Sequence, residues 1–154
     1  MRPRFEHNGR EFYLVRVDQE DVEEAWPHVR DSVHRAWLHS DSVQDGDDFL
    51  GDLRDGICDL WMFLSEGKAV GHMITQVIEY PRKTLLRVLT MECQGGEKGM
   101  LGMDLWAKFV PIVEEYALRR GCVHLEAYTR RGMARALQKH GWENQFNIVT
   151  KQIG

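Results

Sequence analysis

The sequence predicts an α/β fold with a mixed sheet and helices on both of its faces. Three observations support this. Residues 83–120 read as a strand, a glycine-rich turn and a helix. Residues 59–93 hold three strand-like runs separated by short turns, which is typical of antiparallel strands. Residues 122–128 form another strand-like run after the helix, and a right-handed crossover makes it a parallel neighbour of the strand before that helix.

The composition is that of one globular domain covering residues 1–154. Of these residues 43% are hydrophobic, which is enough for a sizeable core. The net charge is −4 and no block of five or more basic residues occurs, which argues against nucleic acid as the main partner. No apolar run approaches the roughly 20 residues that a membrane helix needs, and the polar start is unlike a signal peptide. We expect no membrane partner.

The cysteines indicate a reducing compartment. Cys58, Cys93 and Cys122 are an odd number and form no CxxC motif. Free, mostly buried thiols in the cytosol fit this pattern better than a disulfide framework. We therefore expect a cytoplasmic protein.

The first third of the chain predicts one strand and two helical segments. Residues 11–17 alternate loosely between apolar and polar side chains, as a strand does. Residues 22–39 keep apolar side chains at helical spacing, and Pro27 either kinks one helix or begins a second. Residues 41–56 are acidic with a short apolar stripe, which predicts a second amphipathic helix ended by Gly56.

The middle of the chain predicts three antiparallel strands. Residues 59–64 run into residues 65–68, which carry a hairpin signal. Residues 70–80 form the second strand of this hairpin, and a turn at residues 81–83 leads into a third strand at residues 85–93.

A glycine-rich turn at residues 94–99 follows the third of these strands. It contains three glycines and one lysine, and the helix after it places Phe109, Val113 and Ala117 along one face. Unpaired N–H groups at a helix start, with the helix dipole, favour an anion, so a phosphate-bearing cofactor is the natural ligand. The alternative is that the glycines only permit a tight turn.

The last third predicts a strand, a short helix and a final strand region. The strand is residues 122–128, the helix is residues 131–140, and Gly141 ends that helix. Residues 142–153 supply the final strand region.

Residues 130–142 carry the most specific resemblance. This short helix ending in Gly141 and followed by Trp142 is similar to that of the GNAT superfamily, the acetyl-CoA-dependent N-acetyltransferases. The order of elements resembles that family over nearly the whole chain. The resemblance implies a GNAT-like fold with the sheet splayed between the fourth and fifth predicted strands, residues 85–93 and 122–128. The early Trp26-Pro27 and the Arg-Arg-Gly start of the last helix also resemble GNAT-like proteins of bacteriophages.

The resemblance implies a binding site for acetyl-CoA at the glycine-rich turn. In the family this turn carries an Arg/Gln-x-x-Gly-x-Gly/Ala signature whose backbone amides hold the pyrophosphate. Gln94 and Gly99 match its first and last positions, and Glu97 replaces the middle glycine. Lys98 supplies a compensating positive charge. The cofactor-binding residues implied are Met91, Cys93, Gln94, Gly95, Gly96, Lys98, Gly99, Arg130 and Arg131.

Glu92 is the candidate general base. It lies near the C-terminal end of the fourth strand, where family members often carry a glutamate, and transfer to an amine requires removal of a proton from an ammonium group. The alternative is a structural carboxylate paired with Arg87, Arg130 or Arg131. Cys93 has no adjacent histidine to activate it, so we interpret its thiol as part of the core.

Tyr128 is the candidate general acid. Many family members place a tyrosine in the last helix, four residues before the Gly-aromatic ending, and it protonates the departing thiolate. Leu137 occupies that position here. Tyr128, at the end of the preceding strand, is the nearest phenol in the sequence and could reach the same cleft, although nothing in the sequence requires it to.

No metal site is expected. His28 and His39 share a helix face but stand about three turns apart, too far to bind one ion, and His34 points elsewhere. The acidic residues 45–50 fail the calcium-loop template, since Phe49 stands at a ligand position.

Three functions remain open. The first is an acetyltransferase acting on a small-molecule or peptide amine, and the acidic surface favours a cationic acceptor. The second is a GNAT-fold structural or interaction protein without catalysis, for example one that contacts other proteins in a phage particle. The third is a sensor that binds acetyl-CoA without turnover. The glycines, Lys98 and Glu92 favour the first, and Glu97 and Leu137 favour the second.

Overall fold

The computed structural model describes residues 3–38, 46–96, 99–100, 104–129, 131–145 and 149–154, with the backbone alone for 37–38, 95–96, 99–100, 104–106 and 131–133. Seven strands and four α-helices follow one another along these residues. In chain order they are β1 (Arg4–His7), β2 (Arg10–Val17), α1 (Val22–Leu38), α2 (Asp48–Arg54), β3 (Asp59–Ser65), β4 (Lys68–Glu79), β5 (Thr84–Gly96), β6 (Gly99–Met100), α3 (Asp104–Arg119), β7 (His124–Ala127) and α4 (Arg131–Gln138).

The strands form one mixed sheet. Strands β1 to β5 are joined in sequence order as antiparallel neighbours. Strand β7 pairs with β5 in parallel, from Leu85 opposite His124 to Val88 opposite Ala127. The predicted mixed α/β sheet, and the parallel relation of its fourth and fifth predicted strands, are confirmed.

The pairing of β5 with β7 ends just before a β-bulge in β5. Ile74 of β4 pairs with Thr90, and Thr75, which follows it, pairs with Val88. Leu89 is therefore an extra residue in β5. The ladder to β7 ends at Val88, just before this bulge, whereas β5 continues to Gly96. Residues 89–93 of β5 consequently have a strand partner only on the β4 side within the described chain.

Each face of the sheet has its own hydrophobic cluster. On one face, Phe109, Val113 and Ala117 of α3 pack with Phe12, Phe63, Leu86 and other strand residues, which confirms the predicted stripe of this helix. On the other face, Trp26, Val29 and Val33 of α1 pack with Phe49 and Leu53 of α2 and with Leu60 and Ile74 of the sheet. The sheet that carries the candidate site is therefore packed between α3 on one face and α1 with α2 on the other.

The structure corrects the sequence prediction at the N-terminal strand. An additional strand, β1, precedes the predicted one and forms a hairpin with it through Asn8 and Gly9, both at positive φ. Asn-Gly is the preferred pair for such a turn, so the signal was present in the sequence. One helix, α1, spans Pro27, so a second helix does not begin there.

The glycine-rich stretch also differs from its prediction. Strand β5 extends through Gly95 to Gly96, and Gly99 pairs with Gly96 in β6, so these glycines form a hairpin. The described part of the following helix, α3, begins at Asp104, and residues 101–103 lie outside the described residues. Glycine adopts extended backbone conformations as readily as turns, which is why composition alone did not locate the end of the strand.

The predicted final strand is wrong for the described part of the tail. Residues 142–145 and 149–154 form no strand. Helix α4 ends as expected: Gly141 has φ +88°, and the N–H of Trp142 donates to the carbonyl of Leu137 at 3.2 Å. The second predicted helix is shorter than expected, and residues 41–45 of its predicted range lie outside the described residues.

Candidate functional site

Glu92 lies in β5 beyond the bulge and faces α1. Only 4% of the residue is exposed. Arg35, near the C-terminal end of α1, donates a hydrogen bond from Nε to Glu92 Oε1 at 2.8 Å. Glu92 is thus ion-paired, as expected if it were a structural carboxylate. Its partner is Arg35, which was not among the arginines predicted from the sequence. Arg87 instead pairs with Glu126 of β7 at 2.5 Å.

A second polar pair lies beside Glu92. His72 of β4 is opposite Glu92 in the ladder and is fully buried. Its Nδ1 is 2.6 Å from Ser32 Oγ of α1, and its Nε2 is 3.2 Å from Thr90 Oγ1 of β5. Burial, and then the positive charge of Arg35, lower the pKa of His72 to about 3. The imidazole is therefore neutral and links α1 to the sheet at neutral pH.

The Glu92 carboxylate is hydrogen-bonded through one of its two oxygens. Oε1 accepts the bond from Arg35, and Oε2 accepts no hydrogen bond from the described part of the chain. A carboxylate with one oxygen unpaired can accept a proton from a bound group.

Gly71 allows β4 to approach β5 closely at this point. A Cβ on Gly71 would lie 2.2 Å from the carbonyl oxygen of Glu92 and 2.6 Å from Cys93 Cα. Real side chains do not tolerate such distances to backbone atoms, so only glycine fits. The position of Glu92 relative to His72 depends on this contact.

Tyr128 lies at the mouth of a large cleft around β7. Its ring is exposed, and the Arg87 guanidinium stacks on it at 4.7 Å from Cζ to the ring centroid. The cleft has a volume of about 1460 Å³ and runs between β7, α3, α4 and the chain after α4. Leu137 lines the same cleft and is itself buried in the α3-side cluster. Glu92 does not line it, so the cleft does not bring the two predicted catalytic residues together.

The predicted cofactor residues lie along the second half of β5 and beyond it. Met91 packs partly against the α3-side cluster, Cys93 is buried and Gln94 is exposed. Burial, followed by the charge of Glu92, raises the pKa of the Cys93 thiol to about 12, so it is protonated and unreactive. Gly95, Gly96 and Gly99 form the hairpin already described. Lys98 and Arg130 lie outside the described residues, and Arg131 is described by its backbone as the first residue of α4.

Arg35, Ser32 and His72 were not predicted from the sequence as members of this site. His72 lies within a buried strand run, where a histidine carries no distinguishing pattern. Arg35 stands 57 residues before its partner. The one available signal was that the hairpin joining β4 to β5 places His72 next to Glu92.

Comparisons with known proteins identify the fold. No protein-family model matches the chain, and no curated protein matches it by sequence. Three solved structures illustrate the structural matches. One is an aminoglycoside acetyltransferase from an uncultured soil metagenomic sample, in complex with sisomicin, with a TM-score of 0.64 and 14% identity over 93% of this chain and 97% of that one.

The second is the ribosomal-protein-alanine N-acetyltransferase of Brucella melitensis biovar Abortus 2308, with a TM-score of 0.61 and 14% identity over 93% of this chain and 99% of that one. The third is a predicted acetyltransferase of Clostridium acetobutylicum with acetyl-CoA, with a TM-score of 0.63 and 12% identity over 92% of this chain and 96% of that one. The chain therefore has the GNAT acetyltransferase fold, and the resemblance drawn from its sequence is confirmed at that level. Among its described helices, none has the length and apolarity to cross a membrane.

Proposed function

We propose that this protein transfers an acetyl group from acetyl-CoA to an amine. The observation that carries the proposal is that β5 continues past Val88, the last residue paired with β7, and carries Glu92 on this continuation. The edge of β5 that faced β7 is therefore unpaired there within the described chain, and this stretch holds a carboxylate with one oxygen not hydrogen-bonded. The structural neighbours with this fold include acetyltransferases and one structure with acetyl-CoA.

Acetyl-CoA is the proposed cofactor. It supplies the acetyl group as a thioester, so the acetyl carbon exchanges a C–S bond for a C–N bond while the acceptor ammonium gives up two protons. Within the described chain, residues 89–93 have a strand partner only on the β4 side, so their other backbone groups could hydrogen-bond the amides of an extended arm. Met91, Cys93 and Gln94 would hold that arm. Lys98, Arg130 and Arg131 would supply positive charge to its phosphates, and Gly95, Gly96 and Gly99 would leave space for them.

Glu92 is the proposed base. Arg35 holds Oε1, and Oε2 accepts the proton of the acceptor ammonium directly or through one water. The enclosed pair of His72 and Ser32 keeps the facing helix at a constant distance from the strand, so the carboxylate is already oriented before the acceptor binds.

Tyr128 is the proposed acid. It borders the cleft around β7, which Glu92 does not line, so the thioester would have to lie between that cleft and the α1 side of β5. The hydroxyl of Tyr128 would donate the proton that the departing sulfur needs, in the place of the helix tyrosine that Leu137 replaces. Arg87 stacks on its ring and is itself bound to Glu126, which restricts the orientation of the phenol. The acceptor would enter from the side of α1 and α2.

Binding and transfer are tested separately. Acetyl-CoA at millimolar concentration should raise the melting temperature of the unaltered protein, because a ligand that binds only the folded state stabilises it. Gly99→Val should abolish the shift, whereas Gly51→Ala, at an exposed position of α2, should keep it. In single-turnover transfer to a panel of amines, Glu92→Gln should be slower by roughly 10²–10⁴-fold while it binds acetyl-CoA equally well.

A second candidate is a GNAT-fold interaction protein without catalysis, such as a component of a phage particle. The observation in its favour is Leu137, which is only 3% exposed and packs in the core at the position of the family's tyrosine. A protein that shows no acetyl-CoA shift and no transfer to any acceptor would support this candidate. A shift without transfer would instead indicate a sensor of acetyl-CoA.

A further inference from the structure

The guanidinium of Arg35 is engaged at one end only. Nε donates to Glu92, and this is its only hydrogen bond or ion pair within the described part of the chain. The Arg35 side chain is 42% exposed, in contrast to the 4% exposure of the Glu92 side chain. The two Nη groups therefore keep donors that face outward from a buried partner.

The position of the Arg35 Nε is set by its partner. The carboxylate that accepts from Nε lies between α1 and the sheet, and the bridge from Ser32 through His72 to Thr90 lies beside it. An arginine whose Nε is fixed in this way presents its remaining N–H groups as a planar fork. Such a fork matches the two oxygens of a carboxylate or the oxygens of a phosphate.

The charge balance limits which ligand fits. Arg35 and Glu92 form a neutral pair, so a simple anion would be attracted by one residue and repelled by the other. A simple cation would be attracted by Glu92 and repelled by Arg35. A ligand with an ammonium and an anionic group side by side places its ammonium at Glu92 Oε2 and its anionic group at the Nη groups of Arg35.

We propose that Arg35 and Glu92 bind a zwitterionic acceptor, an amine with a carboxylate or similar anionic group one or two carbons away. This inference rests on the proposed function and names its substrate class. The short separation follows from the 2.8 Å bond between Nε and Oε1, because each Nη group is two covalent bonds from Nε and Oε2 is two covalent bonds from Oε1. Free α- and β-amino acids have the required spacing, whereas long polyamines do not.

The unaltered protein provides the first test. Glycine, β-alanine and L-leucine are each compared with the corresponding amide, by calorimetric binding without acetyl-CoA and by single-turnover transfer with it. The acid should bind about ten- to a hundredfold more tightly than the amide, since charge-assisted hydrogen bonds to Arg35 are lost in the amide. The amine of the amide is less basic than the amine of the acid, so a larger fraction of it is unprotonated and ready to react. Faster transfer to the acid would therefore reflect binding by the site and not the intrinsic reactivity of the amine.

Two substitutions of Arg35 locate the effect. Arg35→Gln should weaken the binding of the acids much more than the binding of the amides, so the preference for acids should disappear. Arg35→Lys keeps the charge without the fork and should retain part of the preference. Arg30→Gln is the matched control on the same helix, because Arg30 pairs with Asp47 on the surface and should leave the preference intact.

The outcomes separate this inference from the proposed function. Transfer with equal preference for acids and amides would overturn the zwitterion site and leave acetyl transfer standing. Binding of acids over amides without any transfer would support the site and overturn acetyl transfer. Equal loss of acid and amide binding in Arg35→Gln would show that Arg35 is structural, and binding of neither class would overturn the site.

Discussion

His72 and Glu92 lie directly opposite each other in the antiparallel ladder of β4 and β5, and both are buried beneath α1. One is a neutral imidazole bound to Ser32, and the other is a carboxylate bound to Arg35. Helix α1 is thus connected to the sheet by two polar bridges side by side. A buried polar group that is left without its hydrogen-bond partner lowers the stability of the folded protein. Removing a partner from either bridge should therefore have a measurable effect on stability.

The stability of the protein should fall as the pH falls below about 6.5. The pKa of His72 is lowered by burial from 6.5 to about 3 in the folded protein, so between these values the unfolded chain binds a proton that the folded one does not. The contribution is fully present above pH 6.5 and is lost progressively toward pH 3, with a slope of at most about 1.4 kcal/mol per pH unit.

Urea unfolding at several pH values between 7 and about 4.5 measures this slope. His72→Gln should flatten it, and His28→Gln, at an exposed position of α1, should not. An unchanged slope in His72→Gln would mean that other groups cause the pH dependence.

Removal of Arg35 should destabilise the fold through Glu92. Arg35→Ala leaves a buried carboxylate without its partner, which we expect to cost about 1–3 kcal/mol because the half-exposed arginine site admits some water. Glu92→Gln in the same chain should recover part of the loss, and a double-mutant cycle by urea unfolding gives the coupling. Arg54→Ala breaks the exposed pair with Glu23 and should change stability little. Similar losses in both single arginine variants would contradict a special role of the buried pair.

Gly71→Ala should separate β4 from β5 beside the candidate base. The added Cβ meets the carbonyl oxygen of Glu92 at 2.2 Å and Cys93 Cα at 2.6 Å, so the strands must move apart, at a cost of about 1–3 kcal/mol. Gly51→Ala is the control, since nothing lies within 4 Å of its added Cβ in α2. It should stabilise the protein by about 0.5–1 kcal/mol through helix propensity. Thermal unfolding of the two variants should shift in opposite directions, and a neutral Gly71→Ala would refute the close contact.

Tyr128→Phe should slow acetyl transfer without changing folding. The ring stacks on Arg87 and is exposed, so loss of the hydroxyl removes no buried contact. If the hydroxyl protonates the departing sulfur, the single-turnover rate should fall about 10²-fold or more. Tyr80→Phe is the matched control, because Tyr80 lines the same cleft and is similarly exposed. Equal rates for Tyr128→Phe and the unaltered protein would remove Tyr128 from the proposed mechanism.

The sequence by itself determined the element order from β2 to α4, apart from β6, and the parallel pairing of β5 with β7. Both depend on local signals: the spacing of apolar residues, the Glu66-Gly67 turn and the helix ends at Gly56 and Gly141. It misjudged the glycine-rich hairpin and the tail, where glycine and short β-branched runs are compatible with several backbone conformations.

Only the tertiary structure decided the partners of the candidate site. Glu92 was identified from its place on a strand, but its ion pair with Arg35 joins residues 57 positions apart. The bulge at Leu89, which ends the ladder to β7 and lies between Arg87 and Glu92, arises from the register of β4 against β5. Side-chain partners across such distances depend on how α1 packs on the sheet, and no periodicity in the chain records that packing.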